Sequence, residues 1–456
     1  MKLLLINPPY RNVLAGYDID LKSQGHLPPL SLLYVASALR GHQVAVLDAD
    51  LEQLGLDDIA KRIRKENPDF IGLSVTTFTL IDCLAMARLA KEVNPDVRVI
   101  FGGPHPYLFP DETIGFKEVD YLILGEGEGA ISDLLSSRLN AKGLVYMIGN
   151  KVIKTGSRQL IRDLDSIPFP QRRLLPYGSY TSVLSRSRPV TTMVISRGCP
   201  YRCTCCSQAH YKDSVRYRSA SNVVAEIEAC IRLGIREIIF YDETFTLNRD
   251  LVAAVCRGIQ AKKLRISWAI RTRVDLVDDG LLRLMKRSGL ARIHFGVESG
   301  NQKTLDTLAK GITIRQIERA FGLARDNNLE TVGYFMIGSP GETLKMIHNT
   351  MAFARHLNPD YVQFSVTQVS PGTELHRQAL EAGLDVDWRS YAKNPRHGFP
   401  MFWTKTLGET ELKSLAKDAY RKFYLRWHYV LSQLARVRSL GDLRNKINAG
   451  RMLVFS

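Results

Sequence analysis

The amino-acid sequence predicts an α/β protein with a doubly wound parallel sheet, then an open (β/α)6 barrel, then a helical C-terminal segment. Three observations carry this expectation. Residues 1–137 alternate apolar strand-like runs with helical patterns. The alternation starts again near residue 191, after an irregular stretch. Four cysteines crowd between positions 199 and 206, directly after the first strand of that second alternation. Apolar strands separated by helices belong to parallel sheets that are covered on both faces.

The first alternation places strands at 2–6, 43–48, 70–75, 98–102 and 120–124, with helices at 30–40, 56–66, 79–93 and 127–136. Such sheets bind ligands beyond their C-terminal strand ends. Those ends carry Asn7-Pro8-Pro9, the run Ser74 to Thr77 with Thr76, Gly102-Gly103-Pro104-His105 and Gly125-Glu126-Gly127-Glu128. Residues 138–188 read as a hairpin about Gly149-Asn150 and an extended linker through Pro168-Phe169-Pro170. The second alternation places strands at 191–196, 237–241, 266–271, 291–297, 331–337 and 361–367. Barrels of this kind put their chemistry at the C-terminal strand ends. The expected domains are therefore 1–137, 138–188, 189–395 and a helical basic region at 396–456.

Composition narrows the class. Hydrophobic content of 45% and charged content of 24% suit a globular chain. No apolar run approaches the roughly 18 residues a membrane span needs. The apolar start, Met1 to Ile6, stops at Asn-Pro-Pro without a small-residue cleavage site, so it reads as a buried strand and a cytoplasmic protein is the default. The formal charge of +16 suggests an anionic partner. Between Lys413 and Arg451, ten Lys and Arg stand against two Asp, which is half of that excess. Within this region Tyr420, Phe423, Tyr424, Trp427, Leu431 and Leu434 form an apolar stripe at helical spacing. The region is open to two readings. Its stripe packs on the barrel and its basic face is solvated, or it docks peripherally on an anionic membrane.

Seven cysteines, an odd number with four in eight positions, make a poor disulfide framework and a good metal site. Cys83, Cys230 and Cys256 lie in apolar helical patterns and read as core. The remaining motif is Cys199-Pro-Tyr-Arg-Cys203-Thr-Cys205-Cys206. Thiolates suit iron–sulfur clusters. Three of them can bind three irons of a cubane and leave the fourth open to a reacting ligand. Structural zinc would need a fourth ligand, usually from a second Cys pair, and no such pair exists.

The spacing C-x3-C-x2-C after a first barrel strand resembles the radical S-adenosylmethionine (SAM) superfamily. The resemblance covers residues 190–375 and implies a 4Fe–4S cluster on Cys199, Cys203 and Cys206, whose open iron binds SAM. One electron then cleaves SAM to methionine and a 5′-deoxyadenosyl radical. Cys205 departs from the family, which usually has an aromatic there beside the adenine, so a register through Cys205 stays open. By the same resemblance Asp242 and Glu243 suit the SAM amino group, and Arg271 or Arg273 its carboxylate. Glu298 and Ser299 suit the ribose, and Gly338 the adenine.

The N-terminal layout is similar to the cobalamin-binding domain that precedes many radical SAM barrels. The features that carry it are Asn7-Pro8-Pro9, Leu27-Pro28-Pro29-Leu30, Gly102-Gly103-Pro104-His105 and Gly125-Glu126-Gly127-Glu128. The resemblance implies cobalamin at Pro8, Pro9, Ser74, Thr76, Gly102, Gly103, His105, Gly125, Glu126 and Gly127. The D-x-H-x-x-G signature that donates a histidine to cobalt is absent, so His105 is expected to pack its loop. Glu126 and Glu128 are expected to serve loop structure and helix capping rather than proton transfer.

Together the two halves resemble the cobalamin-dependent radical SAM enzymes, which include class B radical SAM methyltransferases and anaerobic magnesium-protoporphyrin monomethyl ester cyclases. The resemblance implies methylation of an unactivated carbon through methylcobalamin. The alternative is radical cyclisation, rearrangement or oxidation of a hydrophobic or tetrapyrrole-like substrate. It also implies a small-molecule substrate, hydrophobic or anionic, and an electron donor such as flavodoxin or ferredoxin. RNA modification is disfavoured, because Cys83 is the only N-terminal cysteine where methylthiotransferases carry three. The intact cysteine motif disfavours a non-catalytic cobalamin sensor.

Overall fold

The computed structural model describes residues 1–9, 25–207, 215–384, 404 and 407–435. The chain divides into two compact units: Met1–Met193 with Arg216–Ile239 and Asp387–Gly398, and Val194–Val215 with Phe240–Val386 and Phe399–Ser456.

The first unit holds a seven-stranded sheet. Its strands are β1 (Lys2–Asn7), β2 (Gln43–Asp48), β3 (Phe70–Ser74), β4 (Arg98–Gly102), β5 (Tyr121–Ile123), β6 (Leu144–Ile148) and β7 (Lys151–Lys154). They lie in the order β2-β1-β3-β4-β5-β6-β7. Pairs up to β4–β5 are parallel. Both faces are covered, which explains the unbroken apolar run of β1. Leu4 and Ile6 join a core with Ile59, Ile63, Leu80 and Cys83. Leu3 and Leu5 join a second core with Leu33, Val35, Ile131 and Leu134. The chain leaves β1 toward β2 on one side and β3 pairs on the other, so the ends of β1 and β3 flank the topological switch point.

The structure corrects one expectation here. The 144–154 hairpin is not a separate element, because β6 pairs antiparallel with β5, Leu122 opposite Val145. An isolated hairpin is marginal in water, and three-residue β5 would otherwise be an unpaired edge. The linker that follows is fastened by buried polar groups. Arg172 and Arg218 both pair with Glu226 at 2.6 Å, and the Tyr180 hydroxyl donates to Asp48 at 2.7 Å.

The second sheet has strands β8 (Val190–Met193), β9 (Glu237–Phe240), β10 (Ser267–Thr272), β11 (Leu290–Glu298), β12 (Glu330–Ile337) and β13 (Tyr361–Val366). Their order is linear, β13-β12-β11-β10-β9-β8, as an open barrel requires. Strands β10 to β13 pair in parallel. Cys83, Cys230 and Cys256 are fully buried, as expected.

Helix Glu409–Tyr424 explains the C-terminal aromatics. β13 is an edge strand whose amides and carbonyls need partners. The Tyr420 hydroxyl accepts from the Phe364 amide and donates to its carbonyl, at 3.0 and 3.1 Å. Tyr424 does the same at Val362, at 2.8 and 2.9 Å. The i, i+4 spacing of one helix thus matches the i, i+2 spacing of one strand. The stripe holds only to Tyr424. A separate helix, Trp427–Ala435, starts after Arg426, and Trp427 and Leu431 are 64% and 55% exposed. No helix among the described residues is long and apolar enough to cross a membrane. Leu434's side chain and the basic residues from Arg436 onward lie outside the described residues.

Tyr420→Phe and Tyr424→Phe should each lower stability by about 1–3 kcal/mol, since each removes a hydroxyl that serves both an amide and a carbonyl of the edge strand. Denaturant midpoints of the two variants check this.

Candidate functional site

The candidate site of the second unit is built on the loop that carries the cysteines. Gly198, at φ +95°, turns the chain into it. Asp242, at the end of β9, is 2% exposed. Its carboxylate accepts from the amides of Ile195 and Ser196 and from the Ser196 hydroxyl, at 2.6–3.1 Å. Burial pushes its pKa up to about 6, against the pull of Ser196 and the amides, so at neutral pH it remains the charged acceptor. Further along, the Thr204 amide donates to the Leu308 carbonyl and the Leu375 amide to the Thr204 carbonyl, both at 3.0 Å. The Cys206 amide donates to the Cys203 carbonyl at 3.1 Å, closing a turn. Cys199 Sγ lies 3.9 Å from Thr244 Oγ1.

Two cations stand beside this loop. Arg273 stacks over the Tyr201 ring at 3.7 Å and pairs with Asp275 through two bonds, while its buried Nη1 has no hydrogen-bond partner among the described residues. Lys310 pairs with Glu298 at 2.6 Å. Burial opposes the charge of Lys310, but Glu298 and the thiols of Cys203 and Cys205 raise its pKa. Burial raises the pKa of the Cys203 thiol, and Lys310 and Arg273 act the other way. Burial pushes Cys205 up to about 12. Lys310, Tyr201 and Thr244 escaped sequence reasoning. Lys310 stands in Leu-Ala-Lys-Gly between two helical patterns, a setting with no distinctive motif.

Glu298 occupies φ +66°, at a bulge where the β11–β12 register shifts between Gly296 and Glu298. A non-glycine residue there is strained, and bulges re-aim side chains near functional sites. This one brings Glu298 to Lys310.

The sequence-derived residues separate into groups. Asp242 is committed to the loop backbone, which makes it a positioning group rather than a free ligand for an ammonium. Glu243 is exposed and has no ion pair among the described residues. Ser299 is fully buried, its hydroxyl accepting from the Asn301 amide at 3.2 Å and lying 3.1 Å from Thr350 Oγ1, so its side chain serves the turn and not a ribose. Gly338, at φ +77°, is roofed by Leu412, since a Cβ there would come within 2.9 Å of Leu412 Cδ1. Arg271 parts company with Arg273 and lies over the Tyr241 ring at 4.0 Å. Among the described residues no three His, Cys, Asp or Glu converge on one metal ion. A cubane offers each thiolate a separate iron, so its ligands need no common point.

In the first unit the strand ends form a glycine-rich rim. Pro8 and Pro9 are buried, Ser74 and Thr76 half-buried. Gly103, at φ +102°, packs so closely that a Cβ would sit 2.9 Å from the Val75 carbonyl oxygen. At Gly125, φ +94°, nothing among the described residues lies within 4 Å of a would-be Cβ. Gly127 abuts Val35, tying two helices together. His105 is fully buried, 3.0 Å from Thr77 Oγ1, and burial lowers its pKa to about 4. It is therefore a neutral packing residue, which removes its side chain from the expected cobalamin contacts. Glu126 stands at the N-cap of helix Gly127–Leu135 without capping it. It accepts instead from the Ile161 amide at 2.7 Å and pairs with Arg216 at 2.9 Å, so its carboxylate is structural too.

Known proteins match both halves. The Radical SAM superfamily pattern fits residues 193–354, and the B12 binding domain pattern fits residues 18–135. An "uncharacterized methyltransferase" of Pyrococcus horikoshii is 33% identical over 440 residues, which span 93% of each chain. The chain belongs to the B12-binding radical SAM enzymes. An anaerobic magnesium-protoporphyrin IX monomethyl ester cyclase of Rubrivivax gelatinosus is 28% identical, over 93% of this chain and 78% of its own. The fold is shared with the cobalamin-dependent SAM radical enzyme OxsB, solved with aqua-cobalamin and SAM bound. Its TM-score is 0.75 at 18% identity, over 99% of this chain and 70% of that one. The cofactors of this B12-binding radical SAM enzyme are a 4Fe–4S cluster, SAM and cobalamin. The thiol-rich loop, the unspent Arg273 donor and the open rim at Gly125 fit them.

Asp242→Ala should reduce iron retained after anaerobic reconstitution several-fold, because the loop loses the acceptor for three donors, while Asp242→Asn should retain more. Iron content per chain checks this. Full iron with weakened SAM binding in Asp242→Ala would instead return Asp242 to ligand binding.

Proposed function

We propose that this enzyme methylates an unactivated carbon of a small-molecule substrate, with SAM as methyl source. The observation that carries this reading is the near full-length match, at 33% identity, to a relative named a methyltransferase. When bound, the cluster supplies an electron, SAM a carbon-centred radical and methyl groups, and cobalamin a methyl carrier.

The chain's own residues have distinct parts in this reading. Cys199, Cys203 and Cys206 hold the cluster, on the family spacing. Arg273 receives the SAM carboxylate through its unspent Nη1, and exposed Glu243 suits the ammonium. Lys310 and Arg273 favour the negative charge that three thiolates and a reduced cluster accumulate. Asp242 fixes the loop that presents the cysteines. In the first unit Pro8, Pro9, Ser74, Thr76, Gly102, Gly103, Gly125 and Gly127 form the cobalamin rim, largely through backbone. The cobalamin-binding domain then includes the hairpin strands β6 and β7. An electron donor of the flavodoxin or ferredoxin type supplies the reductant.

The rival outcome is radical cyclisation or rearrangement, which the cyclase relative brings forward. Anaerobic reaction of the loaded enzyme with methyl-labelled SAM, reductant and the small-molecule fraction of its source cells separates the two. Methyl transfer predicts a labelled product, with S-adenosylhomocysteine and 5′-deoxyadenosine released together. Deoxyadenosine and labelled methionine with no label in any substrate-derived product would contradict it.

A further inference from the structure

The second sheet carries a polar cluster around Arg271, apart from the cysteine loop. Arg271 on β10 lies over the Tyr241 ring at 4.0 Å, and its charge acts on the neighbouring Tyr334 hydroxyl on β12. Arg271 sits opposite His294 in the β10–β11 register, and Tyr334 opposite Gln363 in β12–β13. Solvent reaches this cluster, since Tyr241 is 36% exposed and Gln363 and Ser365 are exposed.

The protons of this cluster can be assigned. A guanidinium only donates, so Arg292 Nε gives its hydrogen to His294 Nε2 at 3.1 Å. Burial, then the charges of Arg292 and Arg271, hold the His294 pKa well below its usual value, so the ring is neutral. Its single hydrogen is therefore on Nδ1 and is donated to Tyr334 Oη at 2.6 Å. The phenol's own hydrogen must point elsewhere. Arg271, at its side, also offers only donors. The cluster thus presents hydrogens and asks for an acceptor.

The charge balance sets the acceptor's valence. Arg292 is engaged by His294 and has Glu330 3.8 Å from its Nη1. Arg271 has no carboxylate within ion-pair distance among the described residues, and Glu243 acts on it only from farther away. One uncompensated cation flanked by a carboxylate at longer range suits a monoanion better than a dianion.

We propose that Arg271, Tyr334 and Tyr241 anchor a carboxylate of the substrate, with His294 and Arg292 orienting the Tyr334 hydroxyl. The inference rests on the function proposed above and narrows its substrate to an acid-bearing molecule. It also divides two neighbouring arginines, Arg271 on β10 and Arg273 just past its end. Arg273 leans on the cysteine loop and serves SAM, while Arg271 serves the substrate.

The test uses anaerobically reconstituted holoenzyme and calorimetric titration with hexanoate, neutral hexanamide and hexyl phosphate as probes. Hexanoate should bind the wild type more tightly than hexanamide or hexyl phosphate. Arg271→Gln should weaken hexanoate binding at least about tenfold, and Tyr334→Phe about two- to fivefold. SAM binding, measured separately, should be unmoved in Arg271→Gln. Equal binding of hexanoate and hexanamide, undiminished hexanoate binding in Arg271→Gln, or loss of SAM binding in that variant would each overturn the proposal. Tighter hexyl phosphate would overturn its choice of carboxylate. Carboxylate binding through Arg271 with no methyl transfer from SAM would leave the anchor standing and sink the methyltransferase reading alone.

Discussion

A buried carboxylate is costly unless its oxygens are satisfied. Asp242 is satisfied by the two amides and the hydroxyl that lead into the cysteine loop. The exchange is mutual: the carboxylate is solvated by the chain, and the chain entering the loop has its direction fixed. The tethers at Thr204 then hold the loop's far end. A loop whose ends are already fixed loses less conformational entropy when its thiolates close on a cubane, so this anchoring supports the chemistry of the unit.

The electrostatics follow from the same loop. Thiols in partly buried positions resist ionisation, and Lys310 and Arg273 oppose that resistance. Lys310 is in turn held by Glu298, whose left-handed backbone exists only because β11 bulges there. Backbone strain at one residue thus places a cation at the cysteines. In the first unit, by contrast, the rim is shaped by glycine backbone and open space. Two of its polar side chains, His105 and Glu126, are spent on holding the loops.

Much of this was legible in the sequence because it is periodic. β1 reads as a strand because both its faces are buried, and the strand ends follow from the alternation. The hairpin's membership of the first sheet was not legible, since pairing of β6 with β5 is a long-range choice made by an exposed edge. Arg271, on β10, and Arg273, one residue past its end, are two residues apart and indistinguishable by pattern. Only their neighbours, Tyr334 and Tyr201, separate them. Ser299 and Glu126 looked like ligands because their residue types suit that role, while their hydrogen bonds lie with distant segments around Thr350 and Ile161. Lys310 carries no motif, and a lysine's importance shows only when its surroundings are folded. The C-terminal stripe failed at Arg426, where a helix break resets the phase that periodicity assumes.

The central claim is that this loop holds a cluster through Cys199, Cys203 and Cys206, with Cys205 as a half-buried neighbour. Iron per chain after anaerobic reconstitution of Cys205→Ala and Cys206→Ala, made separately, tests it most directly. The account predicts one cubane's iron retained in Cys205→Ala and most of it lost in Cys206→Ala. Loss of the cluster in Cys205→Ala with retention in Cys206→Ala would contradict it.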